Sequence, residues 1–394
     1  MASDPNTPDP IGDTHFARLR ARGSEASRSL APAIPPSKPL QIFLLVAMVT
    51  TGLAYVVGEW TDLSSSQVQA KRPSKLKRLV ISQGQFLDET KLGRAAEDKK
   101  QYNEAVLHYR RALQAENIAE GHYHLGVALL KQGGPSAAFA QFAEALRQNP
   151  DLAGVYSAWG QALMVQGKPE EAVGIYNRAL QYNPNFGRIH YNLAEALEEQ
   201  ERTAAPADAQ RLETQAARHY ARAAALGVQS PEFWTSYGTF LNKQGKFVEA
   251  ADCLNRAASQ KPELGAAQFQ LALAEDKLGN TGEAIAHYEA TLSAMPNDPA
   301  ALNSLALLYA TTTNKDARSP KMAVLLATRA CEATTSQNAH FVDTLARAYA
   351  ADGDFLQAIA SEEKAIRRAS QLQEQDLLNE FNARYARFVQ HKGE

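Results

Sequence analysis

Cysteine is almost missing from this chain: Cys253 and Cys331 are the two among 394 residues, and each falls in a segment whose small-residue pattern marks a packed helix face. That scarcity argues against a disulfide framework, and thiols at such positions behave as small buried residues. It leaves the redox compartment open, since disulfide-free proteins occur on both sides of a membrane. Excess charge is missing as well. With 41 basic and 43 acidic side chains the formal net charge is -2, so no field draws the chain to nucleic acid. Motifs that carry chemistry are equally scarce. Gly160 to Lys168 and Gly238 to Lys246 have six residues between their glycines rather than four, and no Ser or Thr follows the lysine, so neither is a phosphate loop. His122 and His124 stand on different faces of a helix, and no Cys or carboxylate set completes a metal site around them. Glu170-Glu171, Glu198-Glu199 and Glu362-Glu363 read as solvated helix faces, and no nucleophile turn is present. The sequence therefore predicts no enzyme, no cofactor and no bound metal.

Long apolar runs are also absent, with one exception. Residues 1–39 hold Pro5, Pro8, Pro10, Pro32, Pro35, Pro36 and Pro39 among Ser, Asp and Arg, which predicts a disordered tail. Leu40 to Val57 then runs for 18 residues without a charge. Its ten Leu, Ile, Val and Phe residues contribute on the order of -3 to -6 kcal/mol towards insertion into a bilayer. Residues 40–60 are accordingly expected to form a transmembrane helix, uncleaved because no small-x-small site ends the run. Lys and Arg flank it on both sides. Lys38 before and Glu59 and Asp62 after favour a tail inside and a C-terminal region outside, with a cytoplasmic-facing arrangement as the alternative. Residues 61–85 read as a linker.

Beyond residue 85 the sequence repeats itself at a spacing of about 34. A large residue precedes a small one at Leu92-Gly93, Leu125-Gly126, Trp159-Gly160, Leu193-Ala194, Tyr237-Gly238, Leu271-Ala272, Leu305-Ala306 and Leu345-Ala346. Alanine follows at 105, 138, 172, 216, 250, 284, 323 and 358, and seven residues later a second small residue at 112, 145, 179, 223, 257, 291, 330 and 365. Tyr109, Phe142, Tyr176, Tyr220, Leu254 and Tyr288 lie between the two small residues. Pro150, Pro184, Pro262 and Pro296 fall where a helix must end, and Gly133, Gly167, Gly245 and Gly279 where a short turn is needed. Two antiparallel helices per unit satisfy this pattern: small residues let the backbones approach, and large ones fill the space between them.

This pattern resembles the tetratricopeptide repeat, over residues 86–370. The resemblance implies an all-α solenoid of about eight helix-turn-helix repeats, here preceded by one transmembrane helix, whose first helices line a concave groove for a peptide or partner protein. Leu377, Leu378, Phe381, Tyr385 and Phe388 form an apolar stripe suited to a capping helix, with residues 371–394 as cap and tail. The fourth unit carries ten extra residues around Glu199 to Leu212 and the seventh about five around Thr311 to Pro320, which predicts longer turns or extended helices there. The closing repeats, from Leu302 through Cys331 to Ala350, are similar to those of bacterial envelope tetratricopeptide proteins. A bacterial inner-membrane protein with periplasmic repeats is the resulting expectation.

Projection of the first helices places Tyr123, Val127, Ser157, Gln161, Arg188, Tyr191, Asn192 and Glu195 in the groove, followed by Thr235, Thr239, Phe269, Leu273, Asn303, Leu307, Asp343 and Arg347. Such a mixture of aromatic, amide and charged groups suits an extended peptide or a helix. Some members of the family grip a C-terminal carboxylate with Lys and Asn at paired positions. The first three units hold Thr90 and Arg94, Tyr123 and Val127, and Ser157 and Gln161 there, so that clamp is absent. The expected function is a membrane-anchored scaffold that recruits partner proteins in envelope complex assembly, export or quality control. The alternative is a permanent accessory subunit of a larger membrane complex.

Overall fold

The computed structural model describes residues 75–335 and 337–391. Among them are seventeen helices and no strand. They run as antiparallel pairs: α1 (Lys75–Asp98) with α2 (Tyr102–Ala115), α3 (Ala119–Gln132) with α4 (Pro135–Gln148), and α5 (Ala153–Val165) with α6 (Pro169–Tyr182). There follow α7 (Gly187–Glu201) with α8 (Pro206–Ala225), α9 (Pro231–Lys243) with α10 (Phe247–Gln260), and α11 (Gly265–Leu278) with α12 (Thr281–Ala294). The last pairs are α13 (Pro299–Thr311) with α14 (Pro320–Ala333) and α15 (Ala339–Ala351) with α16 (Phe355–Leu372), after which α17 (Gln375–His391) closes the array. Two compact units divide the chain, one through Asn192 and one from Leu193, the boundary falling inside α7.

Local chemistry sets the helix ends. Proline at the first turn opens α4, α6, α8, α9, α13 and α14, where its missing N–H has no partner to lose. Ser230, Asp298, Asn338 and Asp354 cap α9, α13, α15 and α16 by accepting a backbone N–H with their side chains. Gly133, Gly167, Gly245 and Gly279 adopt left-handed backbone at φ between 70° and 91°, a conformation that disfavours any Cβ.

All sixteen residues of the two small-residue series, from Ala105 to Ala365 with Thr291 among them, are 0% exposed. Their burial reflects close helix approach. A methyl added at Gly126 would lie 2.4 Å from the Phe142 ring and one at Gly160 2.2 Å from the Tyr176 ring. The glycines that imitate a phosphate loop thus serve packing. Leu92 is 51% exposed, whereas its counterparts Leu125, Leu193, Leu271 and Leu305 are buried.

Several expectations change. Helix α1 begins at Lys75, inside the stretch read as linker. The extra residues of the fourth unit are absorbed largely by lengthening α8 to 20 residues, whereas those of the seventh form the turn between α13 and α14. Tail residues 1–39, the apolar segment 40–60 and linker residues 61–74 lie outside the described residues. No described helix is long and apolar enough to cross a membrane. This corrects the expected localisation: the structure does not support a single-pass membrane protein, and the periplasmic placement of the repeats, which depended on it, goes with it.

Candidate protein-binding face

Three first helices are tied to their own second helices by a polar pair at one recurrent spacing. Glu89 meets His108 at 2.7 Å, His122 meets Gln141 at 2.7 Å, and Gln268 meets His287 at 2.8 Å, always 19 residues apart. His122 also contacts Asn117 at 2.6 Å, and His190 holds the carbonyl of Pro184 at 3.0 Å, so these histidines orient helices. Among the described residues no group of His, Cys, Asp and Glu is placed to hold a metal ion.

Successive first helices are linked to one another by a second set of bonds. In the N-terminal unit Lys131 donates to Glu97 at 3.0 Å and Asn192 to Ser157 at 2.6 Å. In the C-terminal unit Ser236 donates to Glu195 at 2.9 Å, Lys243 to Glu201 at 2.7 Å and Asn242 to the carbonyl of Gln270 at 2.8 Å. Such a ladder fixes the spacing and the roll of the first helices, and with them the side chains that they present.

The sequence-derived contact residues fall into two groups. Gln161 and Arg188 are exposed, and Tyr123, Tyr191, Thr235, Thr239, Phe269, Asn303 and Arg347 are half-buried. Tyr123 covers Gly154 on the next first helix, where a methyl would touch its ring at 3.5 Å. Phe269 packs against Tyr288, with ring centroids 6.0 Å apart, and Thr235 bonds back to Pro231 at 2.7 Å. The amide oxygen of Asn303 is shielded from solvent yet accepts no hydrogen bond in the described chain. The second group is turned inward. Asn192 and Asp343 are buried, and both are engaged by their own chain: Asn192 by Ser157, and Asp343 by Arg384 of α17 and by Arg347 at 4.0 Å. Half-buried Glu195 is bonded to Ser236.

Burial dominates the electrostatics. His124 is half-buried, with its ring against those of Tyr109 and Tyr123, and desolvation, with the Arg94 guanidinium at 3.3 Å, pulls its pKa down to about 3, so it is neutral at physiological pH. Burial pushes the thiols of Cys253 and Cys331 up to about 11, which keeps both protonated and inert. Glu198 is raised by burial while accepting a hydrogen bond from the Tyr220 hydroxyl.

Glu362 departs most from the sequence reading. It stands four residues after Ala358, the phase held by Tyr109, Phe142, Tyr176, Tyr220, Leu254 and Tyr288 in other units, and it is 0% exposed rather than solvated. Burial, and then the neighbouring Asp343 carboxylate, push it up to about 8.

Stacked antiparallel helix pairs, whose first helices are cross-linked within each unit, define a helical-repeat interaction scaffold. Models described as tetratricopeptide repeat match residues 90–153, 209–264 and 269–318, and one described as TPR repeat matches residues 160–201. The chain belongs to the tetratricopeptide repeat proteins. Comparison with curated proteins finds none that matches. Among solved structures, it is similar to pilF of Pseudomonas aeruginosa at 18% identity, covering 57% of this chain and 98% of that one with a TM-score of 0.49. It is also similar to YrrB, described as a TPR protein with an unusual peptide-binding site, at 20% identity, covering 49% and 92% with a TM-score of 0.41. The Cut9–Hcn1 hetero-tetramer of the APC/C gives 14% identity, 78% and 56% coverage and a TM-score of 0.48.

Proposed function

We propose that this protein recruits a partner protein by laying a peptide or helix of that partner along its first helices. The observation that carries this reading is the polar ladder between first helices. It holds the helices that carry Gln161 and Arg188 in the N-terminal unit, and the helix that carries Thr239 in the C-terminal unit, in fixed positions before any ligand arrives. A pre-ordered surface spends little binding energy on its own immobilisation, which favours recognition of an extended or helical segment.

The test is photo-cross-linking in cells from single positions of the full chain. Probes at Gln161, Arg188 and Thr239 are expected to capture one common partner, while probes at the exposed second-helix positions Glu171 and Val248 do not. Capture from the second helices alone refutes the reading.

A further inference from the structure

The last repeat replaces a core aromatic with a buried acid, and the C-terminal helix fills the resulting slot. Glu362 on α16 lies beside Asp343 on α15, close enough for the two carboxyls to share a proton, and among the described residues no N–H donates to either Glu362 oxygen. Arg384 of α17 answers both acids: its Nη1 donates to Asp343 and approaches Glu362 to 3.6 Å. Phe381, one turn earlier on the same face, is 1% exposed in a pocket that includes Cys331, Val342 and Ala365. Burying paired charges at the end of an array stabilises less than an apolar cap of the same volume would, so the arrangement contributes selectivity for one incoming side chain rather than raw stability.

The joint that delivers this helix is a left-handed turn made without glycine. Gln373 turns the chain from α16 into α17 with φ 58, left-handed backbone that disfavours a residue with a Cβ. Six of the other helix-ending turns place glycine in that conformation, at Gly133, Gly167, Gly227, Gly245, Gly279 and Gly353, while Lys100 and Thr335 adopt it as Gln373 does. From Phe355 to His391 there is neither glycine nor proline, and Gln371, Gln373, Glu374 and Gln375 around the turn are all good helix formers. Straightening Gln373 would join α16 and α17 into one continuous helix and carry Phe381 and Arg384 away from their own repeat. A short, strained hinge between two packed helices, one of which seats specific side chains against its own repeat, is the arrangement from which reciprocal exchange arises.

We propose that α17 is an exchangeable arm: two copies of this chain pair by each inserting Phe381 and Arg384 into the Asp343–Glu362 slot of the other. The second copy is the occupant because its α17 carries the side chains that the slot already accepts in the closed chain. This pairing uses the end of the array and leaves the first-helix face free for a different partner.

Light-scattering mass of the full-length chain tests it. The native chain is expected to show a concentration-dependent doubling of its 42.9 kDa mass. Gln373→Gly, which relaxes the closed turn, should weaken the dimer at least about tenfold. Arg384→Glu and Asp343→Arg should each be monomeric alone, yet form a one-to-one heterodimer when mixed, because exchange restores an opposite-charge pair at both slots. The double variant Asp343→Arg/Arg384→Glu, which can close on itself, shows whether these charges still permit folding and should regain dimerisation. A mixture that stays monomeric while the double variant folds overturns the proposal, as does a dimer that Arg384→Glu leaves unchanged.

Discussion

Replacing Gly160 with alanine sets two ordinary effects against each other, and the geometry of α5 and α6 decides the outcome. Alanine in a helix interior is favoured over glycine by about 1 kcal/mol. At Gly160, however, the new methyl would lie 2.2, 2.3 and 2.5 Å from three atoms of Tyr176, a side chain that is 0% exposed and so has no open space to move into. Overpacking of this kind costs about 1–3 kcal/mol. Units four and six hold Ala194 with Tyr220 and Ala272 with Tyr288 at the equivalent positions, so helices can be set to accept the pair and part of the cost relaxes. The expected net effect is a loss of about 1 kcal/mol. Gly174 on α6 is the internal control: it is exposed, nothing lies within 4 Å of its added methyl, and Gly174→Ala should stabilise by about 1 kcal/mol. Urea unfolding of the full chain, with hydrogen exchange read in α5 and α6, measures both. Tyr176→Leu should rescue Gly160→Ala with a coupling energy of at least about 1 kcal/mol in a double-mutant cycle. If Gly160→Ala stabilises the chain as much as Gly174→Ala does, close backbone approach is not what the small-residue series encodes.

Three further outcomes follow from the buried ionisable groups. Glu362 has a folded-state pKa of about 8 against 4.5 when exposed, with Asp343, Arg347 and Arg384 as the charged groups around it; it binds protons more tightly when folded. Stability of the α15–α17 region should therefore be greatest below about pH 4.5 as far as this group is concerned and fall as pH rises towards 8, and Glu362→Gln should flatten that slope in hydrogen exchange. His124 works in the opposite sense: desolvated and neutral, with a pKa of about 3, it should make the N-terminal unit lose stability as pH falls below 6.5, and His124→Gln should reduce the acid sensitivity seen by circular dichroism. Cys253 and Cys331 should resist iodoacetamide at pH 7.5 in the native chain and react in urea, and fast native alkylation would contradict their burial.

The period of about 34, the eight large–small pairs and the two alanine series were sufficient to determine the architecture. The same small residue in the same phase can be required eight times only if the same close helix contact is made eight times. Turn glycines and helix-opening prolines were legible for a related reason, since left-handed backbone and an unpaired first-turn N–H are local properties of the chain. The charged and amide positions were less so. Asn192 and Asp343 project from first helices as Gln161 does, yet Ser157 lies against one and Arg384 against the other, while nothing covers Gln161. A helical projection gives the direction of a side chain but not what stands above it. Glu362 shows the limit most plainly. Its phase, four residues after Ala358, marked a core position, but its charge, beside Glu363, suggested solvent. Which of these prevailed depended on Asp343 and Arg384, which lie 19 and 22 residues away in sequence and reach Glu362 only once α15, α16 and α17 have packed. Repetition fixed the backbone by itself, while the state of each polar group depended on neighbours that only packing supplies.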